Sequence, residues 1–97
     1  MTGKNTNGSK TSAYLEQNRP NPSDGSTTIR YHLPANAGNG KIVITDIKGS
    51  IVKTITAPNN TNGQISLDSG LLSAGTYSYT LYVNNKMMDS KQMVITK

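Results

Sequence analysis

The sequence predicts an all-β domain, an immunoglobulin-like β-sandwich of about seven antiparallel strands. Two observations carry this expectation. The apolar residues are skewed toward Ile, Val and Tyr, Thr is frequent, and Phe, Trp and Cys are absent, a composition suited to pleated, half-buried strands. Turn signals recur at intervals of about ten residues with no helical period between them. A small closed barrel satisfies the same strand count and stays open as the alternative. A chain of 97 residues has room for one core and no second domain, and with 33% apolar residues that core is thin.

Residues 2–11 are Gly, Asn, Ser, Thr and Lys with nothing to bury, so 1–12 reads as a flexible linker or leader and the ordered domain as 13–97. Tyr14-Leu15-Glu16-Gln17 is a first short strand. Pro20 and Pro22 stop any ladder after it, because neither can donate a backbone hydrogen bond. Ser26 to Leu33 is the clearest strand, with Ile29, Tyr31 and Leu33 on one face and Thr28, Arg30 and His32 on the other. Pro34 ends it.

After the turn from Asn36 to Gly40, the nearly continuous apolar run Lys41 to Ile47 reads as a central strand touched on both faces. Asp46-Ile47-Lys48-Gly49 has type I turn chemistry, with Gly49 free to take positive φ. Ser50 to Thr56 then returns antiparallel, with Val52 assigned to the core and Ile51 and Ile55 as further candidates. Asn62-Gly63 reads as a positive-φ turn before a short strand in which Ile65 and Leu67 alternate. Tyr77, Tyr79, Leu81 and Val83 alternate through the longest strand, Asn84-Asn85 makes a tight turn, and the last strand runs from Lys86 onward.

A two-residue turn at Asn84-Asn85 pairs Val83 with Lys86, Leu81 with Met88 and Tyr79 with Ser90. Continued unbroken, that register buries Gln92 and turns Met93 and Ile95 outward. One extra residue restores them, so the sequence predicts a β-bulge at Asp89 to Lys91.

The net charge is +5, but Lys41, Lys48, Lys53, Lys86 and Lys91 are dispersed singly, and only Arg19 and Arg30 offer forked contacts. No nucleic-acid surface is predicted; isolated strand lysines serve solubility and edge protection. No apolar run approaches the roughly 18 to 20 residues of a bilayer span, so membrane insertion is not expected. Met1 to Ser12 holds no apolar signal segment, and an export signal is therefore expected upstream.

Catalytic chemistry finds no constellation. His32, the single histidine, sits beside Arg30 and Thr28 on the polar face without an evident partner or pocket. Glu16, Asp24, Asp46, Asp68 and Asp89 fall in or beside expected turns, where carboxylates bond local backbone, and no segment has the oxygen-ligand density of a calcium loop. The chain reads as a non-enzyme with no catalytic, cofactor-binding or metal-ligating residues and no cofactor. Sugar binding has few aromatics to draw on: Tyr31, Tyr77 and Tyr79 go to the core, leaving Tyr14 and Tyr82 as surface platforms.

The motifs point elsewhere. Tyr14-Leu15-Glu16-Gln17-Asn18-Arg19-Pro20-Asn21-Pro22 and Ser26-Thr27-Thr28-Ile29-Arg30-Tyr31 match an "LxQNxPNP" stretch followed by an "STTIxY" strand. Asp46-Ile47-Lys48-Gly49-Ser50-Ile51-Val52 matches a "DxxGxxV" hairpin, Leu72-Ser73-Ala74-Gly75-Thr76-Tyr77 an "LxxGxY" turn, and Lys91 to Lys97 a "KKxxxxK" ending. In this order they resemble the type A C-terminal sorting domain that directs proteins through the type IX (Por) secretion system of Bacteroidota. Ser23-Asp24 and Lys91-Gln92 depart from the pattern, which often has an apolar residue at the first place and two lysines at the second.

The resemblance implies a secretion signal. A passenger protein fused upstream crosses the inner membrane by a separate signal, folds in the periplasm and is recognised through this domain by the outer-membrane translocon. A sortase-like signal peptidase then removes the domain, leaving the passenger at the cell surface or outside the cell. The cut is expected in Thr2 to Ser12 or just upstream. Pro20, Asn21, Pro22, Asp46, Gly49, Gly75 and Tyr77 are read as architecture. Lys91, Met93, Val94, Ile95 and Lys97 are the expected recognition residues, their strand presenting edge groups for strand addition. The competing class is an immunoglobulin-like spacer or a carbohydrate-binding adhesion module of a surface protein, which needs the same sandwich and no machinery.

Overall fold

Alternation of apolar and polar residues, broken by Pro, Gly and Asn, resolves into seven strands: β1 (Tyr14–Leu15), β2 (Thr27–His32), β3 (Gly40–Thr45), β4 (Ile51–Ala57), β5 (Gly63–Leu67), β6 (Gly75–Val83) and β7 (Lys86–Ile95). The computed structural model describes residues 13–34, 37–58, 62–68 and 70–96. Residues 1–12, expected as a linker or leader, lie outside them, as do Asn36 and Lys97. The strands form two antiparallel sheets, one in the order β1-β2-β5 and the other β4-β3-β6-β7, so the architecture is the sandwich and not the barrel.

The inner faces supply one core. Ile29, Tyr31 and Leu33 come from the first sheet, and Ile42, Ile44, Tyr77, Tyr79, Leu81, Val83, Met93 and Ile95 from the second; all are buried. β3 lies between β4 and β6, and Ile42, Val43 and Ile44 are all buried along it. Val43 points away from the core, where Thr54 and Thr80 flank it in its cross-strand row. The Asp46 turn forms as its chemistry predicts: Gly49 N–H donates to the Asp46 carbonyl at 2.9 Å and Gly49 takes φ 89°. Asp46 Oδ1 accepts from the amides of Lys48 and Ser50.

Three expectations are corrected. Ile51 and Val52 are 66% and 44% exposed, because β4 is an edge strand and its register with β3 shifts between Ile44 and Thr45; only Ile55 packs against the core. Gly63 begins β5 directly opposite Tyr31 and is not among the positive-φ residues. It is flat for another reason: a Cβ there would stand 2.2 Å from Tyr31 Cζ.

The bulge exists, but earlier than predicted. Val83 pairs with Lys86 and Tyr82 with Met87, then the register shifts so that Leu81 meets Asp89, leaving Met88 as the extra residue. The consequence is the predicted one: Tyr77 opposes Met93, Gly75 opposes Ile95, and both β7 side chains are buried. The shift falls close to the turn because Asn84 and Asn85, at φ 54° and 64°, close the hairpin with the strong twist that a bulge extends.

Candidate functional site

The segment between β1 and β2 carries the densest motif in the chain, and its polar residues each hold one place in the fold. Residues 17–23 run along the outer edge of β7 as a strap. Gln17 donates from Nε2 to the Gln92 carbonyl at 2.6 Å. Val94 N–H donates to Asn21 Oδ1 at 2.9 Å. Ser23 N–H donates to the Val94 carbonyl at 2.9 Å, and Thr96 N–H donates to the Ser23 carbonyl at 2.8 Å, a parallel bridge between Ser23 and Ile95. An edge strand leaves alternate backbone groups unpaired, and here the chain's own segment takes them.

The strap is fixed from its other side as well. Arg19 exchanges both backbone hydrogen bonds with Thr28 of β2 at 2.9 Å. Asn18, 1% exposed, donates from Nδ2 to Thr27 Oγ1 and the Pro20 carbonyl, and its N–H donates to the Tyr79 phenol. The Arg19–Pro20 and Asn21–Pro22 bonds are cis. Pro20 and Pro22 thus lie in a stretch bonded to β2 on one side and β7 on the other, closing that seam of the sandwich. Asp89 joins β1, just before the strap, to β7, its Oδ2 accepting from Leu15 N–H at 2.8 Å and its Oδ1 from Ser90 N–H. It is therefore a strand residue and not the turn residue its type suggested.

The structure gathers most of the motif residues at one end. Ser23 bonds beside Ile95, Gly75 pairs with Ile95, Tyr77 with Met93, and Ser78 with both Gln92 and Thr45, which precedes the Asp46 to Gly49 turn. Gly75 takes φ 155°, a conformation that only glycine adopts without strain, and Tyr77 donates its phenol to the Ser73 carbonyl at 2.8 Å. Ala13 lies toward the opposite end, where Leu15 bonds to Asp89. Six residues of extended strand separate Asp89 from Ile95, about 20 Å.

The expected recognition residues divide. Met93 and Ile95 are 0% and 5% exposed and fill the core, so their side chains offer nothing to a partner of the folded domain. Lys91 and Val94 are half-buried, Val94 on the outer face. Lys97 lies outside the described residues. The β7 edge expected to accept a strand is occupied from Gln92 to Thr96 by the strap. The sequence reading of the prolines as ladder breakers missed that Gln17 and Asn21 reach β7. No local signal marks them, because the strand they reach lies more than 70 positions away.

Elsewhere Tyr14 stacks on His32 with ring centroids 5.1 Å apart, and His32 Nδ1 lies 3.3 Å from Asn62 Oδ1. A shallow depression of about 210 Å³ at the β6–β7 turn is lined by Asn39, Gly40, Lys41, Tyr82, Asn84 and Asn85, with Lys41 Nζ 5.7 Å from the Tyr82 ring centroid. No group of three or more metal-ligating side chains occurs among the described residues. Nor does any described helix have the length and apolarity to cross a membrane.

Comparison with known proteins fits this geometry. A family model described as the secretion system C-terminal sorting domain matches residues 19–96. Among curated proteins none matches the chain. The fold is similar to part of a β-glucosidase from Kluyveromyces marxianus solved in complex with glucose, at TM-score 0.53 and 8% identity over 89% of this chain. The matched region is 14% of that enzyme, and the likeness is one of fold.

Proposed function

The chain belongs to the secretion system C-terminal sorting domain family, and on that premise we propose that it is the signal by which the type IX outer-membrane translocon exports a passenger fused before Ala13. Membership in a type IX sorting family implies export to the cell surface or beyond. The proposed route includes periplasmic transit and removal of the domain by a sortase-like peptidase cutting upstream of Ala13.

One observation carries the proposal: the strap and the terminal strand form a single hydrogen-bonded unit that ends away from Ala13. A passenger attached there leaves the motif end open to the translocon, and a protease acting on the linker meets neither. Recognition then reads a folded surface comprising Lys91, Val94 and Asn21, with Lys97 following it in the chain, while Ser23, 1% exposed, holds the strap to β7 through its backbone. Met93 and Ile95 act from beneath, holding β7 in register.

Fusing residues 12–97 behind a reporter that carries an export signal, in a type IX-competent bacterium, tests it. Delivery to the surface or medium is expected, with loss of delivery for Val94→Glu, whose circular dichroism and melting should remain those of a folded sandwich. Periplasmic retention of the unaltered fusion overturns the reading and favours a spacer. A delivered reporter whose cut, by mass spectrometry, falls inside Ser26 to Ile95 overturns the placement of the cleavage.

A further inference from the structure

The second sheet ends in two edges that the fold treats differently. β7 is covered from Gln92 to Thr96 by the chain's own strap, whereas β4 pairs on one side only, with β3. The seam between β4 and β5, opposite the strap, has no such cover among the described residues, and Ile55 and Ile65 stay only partly buried against the core there. Three large apolar side chains stand exposed where β4 begins: Ile47 at 83%, Ile51 at 66% and Val52 at 44%.

Three lysines and one carboxylate lie around this edge. Lys53 pairs across the sheet with the buried Ile44, and Lys41 with Thr56; Lys48 lies in the preceding turn. The nearby carboxylate, Asp46, is engaged through Oδ1 with the turn amides. Lys53 therefore faces the core side of the sheet at its uncovered margin, the placement that blocks generic edge pairing. In a self-pair centred on Lys53, each lysine meets its copy, and like charges directly opposite destabilise a ladder. A second copy is thus disfavoured. A carboxylate opposite Lys53 reverses the sign, and an apolar residue two places along covers Ile55.

We infer that β4 is a docking edge for an extended strand of another protein, added antiparallel over Lys53 to Ala57, with an acidic residue facing Lys53 and an apolar residue facing Ile55. The added strand closes the β4–β5 seam as Gln17 to Ser23 closes the other, backbone bonds supplying affinity and alternate side chains specificity. This goes beyond the export reading, and its test does not use export.

The whole chain, labelled with nitrogen-15, is titrated with a capped peptide of alternating Thr and Val bearing one Glu at the place that meets Lys53, and with the same peptide carrying Lys there. The Glu peptide should slow amide exchange across Lys53 to Ala57 and bind about fivefold more tightly than the Lys peptide. Lys53→Glu, at an exposed position, should reverse the preference. Equal binding of both peptides, protection of Gln92 to Thr96 instead, or no slowed exchange in β4 at millimolar peptide would each overturn the inference.

Discussion

The Tyr79 phenol joins the two sheets through the strap: it accepts a hydrogen bond from Asn18 N–H at 2.8 Å and donates one to the Glu16 carbonyl at 2.8 Å. Tyr79 is fully buried in the second sheet, and its ring sits in the core while its oxygen satisfies two backbone groups of the segment that seals β7. Tyr79→Phe keeps the ring and orphans both groups. An unsatisfied buried donor costs on the order of 1–3 kcal/mol, and chemical denaturation should register a loss of that size.

The same phenol gives the fold a pH dependence. Burial pushes its pKa up to about 12, opposed by the Asn18 hydrogen bond and assisted by the Asp89 carboxylate. The folded state therefore holds this proton more tightly than the unfolded chain, where a tyrosine titrates near 10. The resulting stability is fully present below pH ~10 and is lost as pH rises toward ~12, on the order of 2 kcal/mol across that window. Tyr79→Phe lacks this contribution, so the stability difference between the two proteins should narrow over that window. A constant difference would contradict the assignment.

Gly63 tests the packing of the first sheet. It faces the Tyr31 side chain, and a methyl group there would collide with two ring carbons and the phenol oxygen at 2.2–2.8 Å. Gly63→Ala should displace Tyr31 and cost on the order of 1–3 kcal/mol, the usual range for overpacking. Gly38→Ala is the contrast, since no atom lies within 4 Å of its Cβ position and only its φ of 82° is strained. Line broadening of Tyr31 ring signals in the Gly63 variant alone would separate a clash from a backbone effect.

Local alternation made most of the fold legible. Ile29, Tyr31 and Leu33, and the series Tyr77 to Val83, reveal their faces because a strand's period is 2 and these faces are buried. The need for a bulge was legible for the same reason, since Met93 and Ile95 have to face inward. Its position was not, because Met88 and Asp89 satisfy either placement on parity alone. Edge position was also hidden: Ile51 and Val52 look like core residues until the strand order places β4 outermost. The strap lay furthest from the sequence, since Asn21 and Val94 are separated by 73 positions and nothing local marks an amide side chain as a surrogate ladder partner.

Deleting Met88 removes the extra residue of β7. The chain after it must either slip by one, turning Met93 and Ile95 outward and Gln92 inward, or break the Asn84-Asn85 turn. Exposing two such side chains costs roughly 3–6 kcal/mol, much of the stability of a small domain. The deletion should leave little cooperative unfolding transition, whereas Met88→Ala, which keeps the backbone count at an exposed residue, should cost under about 1 kcal/mol. Equal tolerance of both changes would mean that the bulge does not set the register.

Asn21→Ala isolates the strap from the rest of the fold. It removes the acceptor for Val94 N–H but leaves the backbone bonds of Ser23 to Val94 and Thr96. At this exposed position the stability loss should be small, on the order of 0.5–1 kcal/mol. Val94 amide exchange should accelerate several-fold, that of Thr96 less, and Tyr77 and Tyr79 should hold their protection. If recognition reads strap and strand as one surface, reporter export should fall with this substitution as it does with Val94→Glu, in a domain that melts almost normally. Unchanged export alongside faster Val94 exchange would confine the strap to a stabilising role and leave recognition to β7 and the residues beyond it.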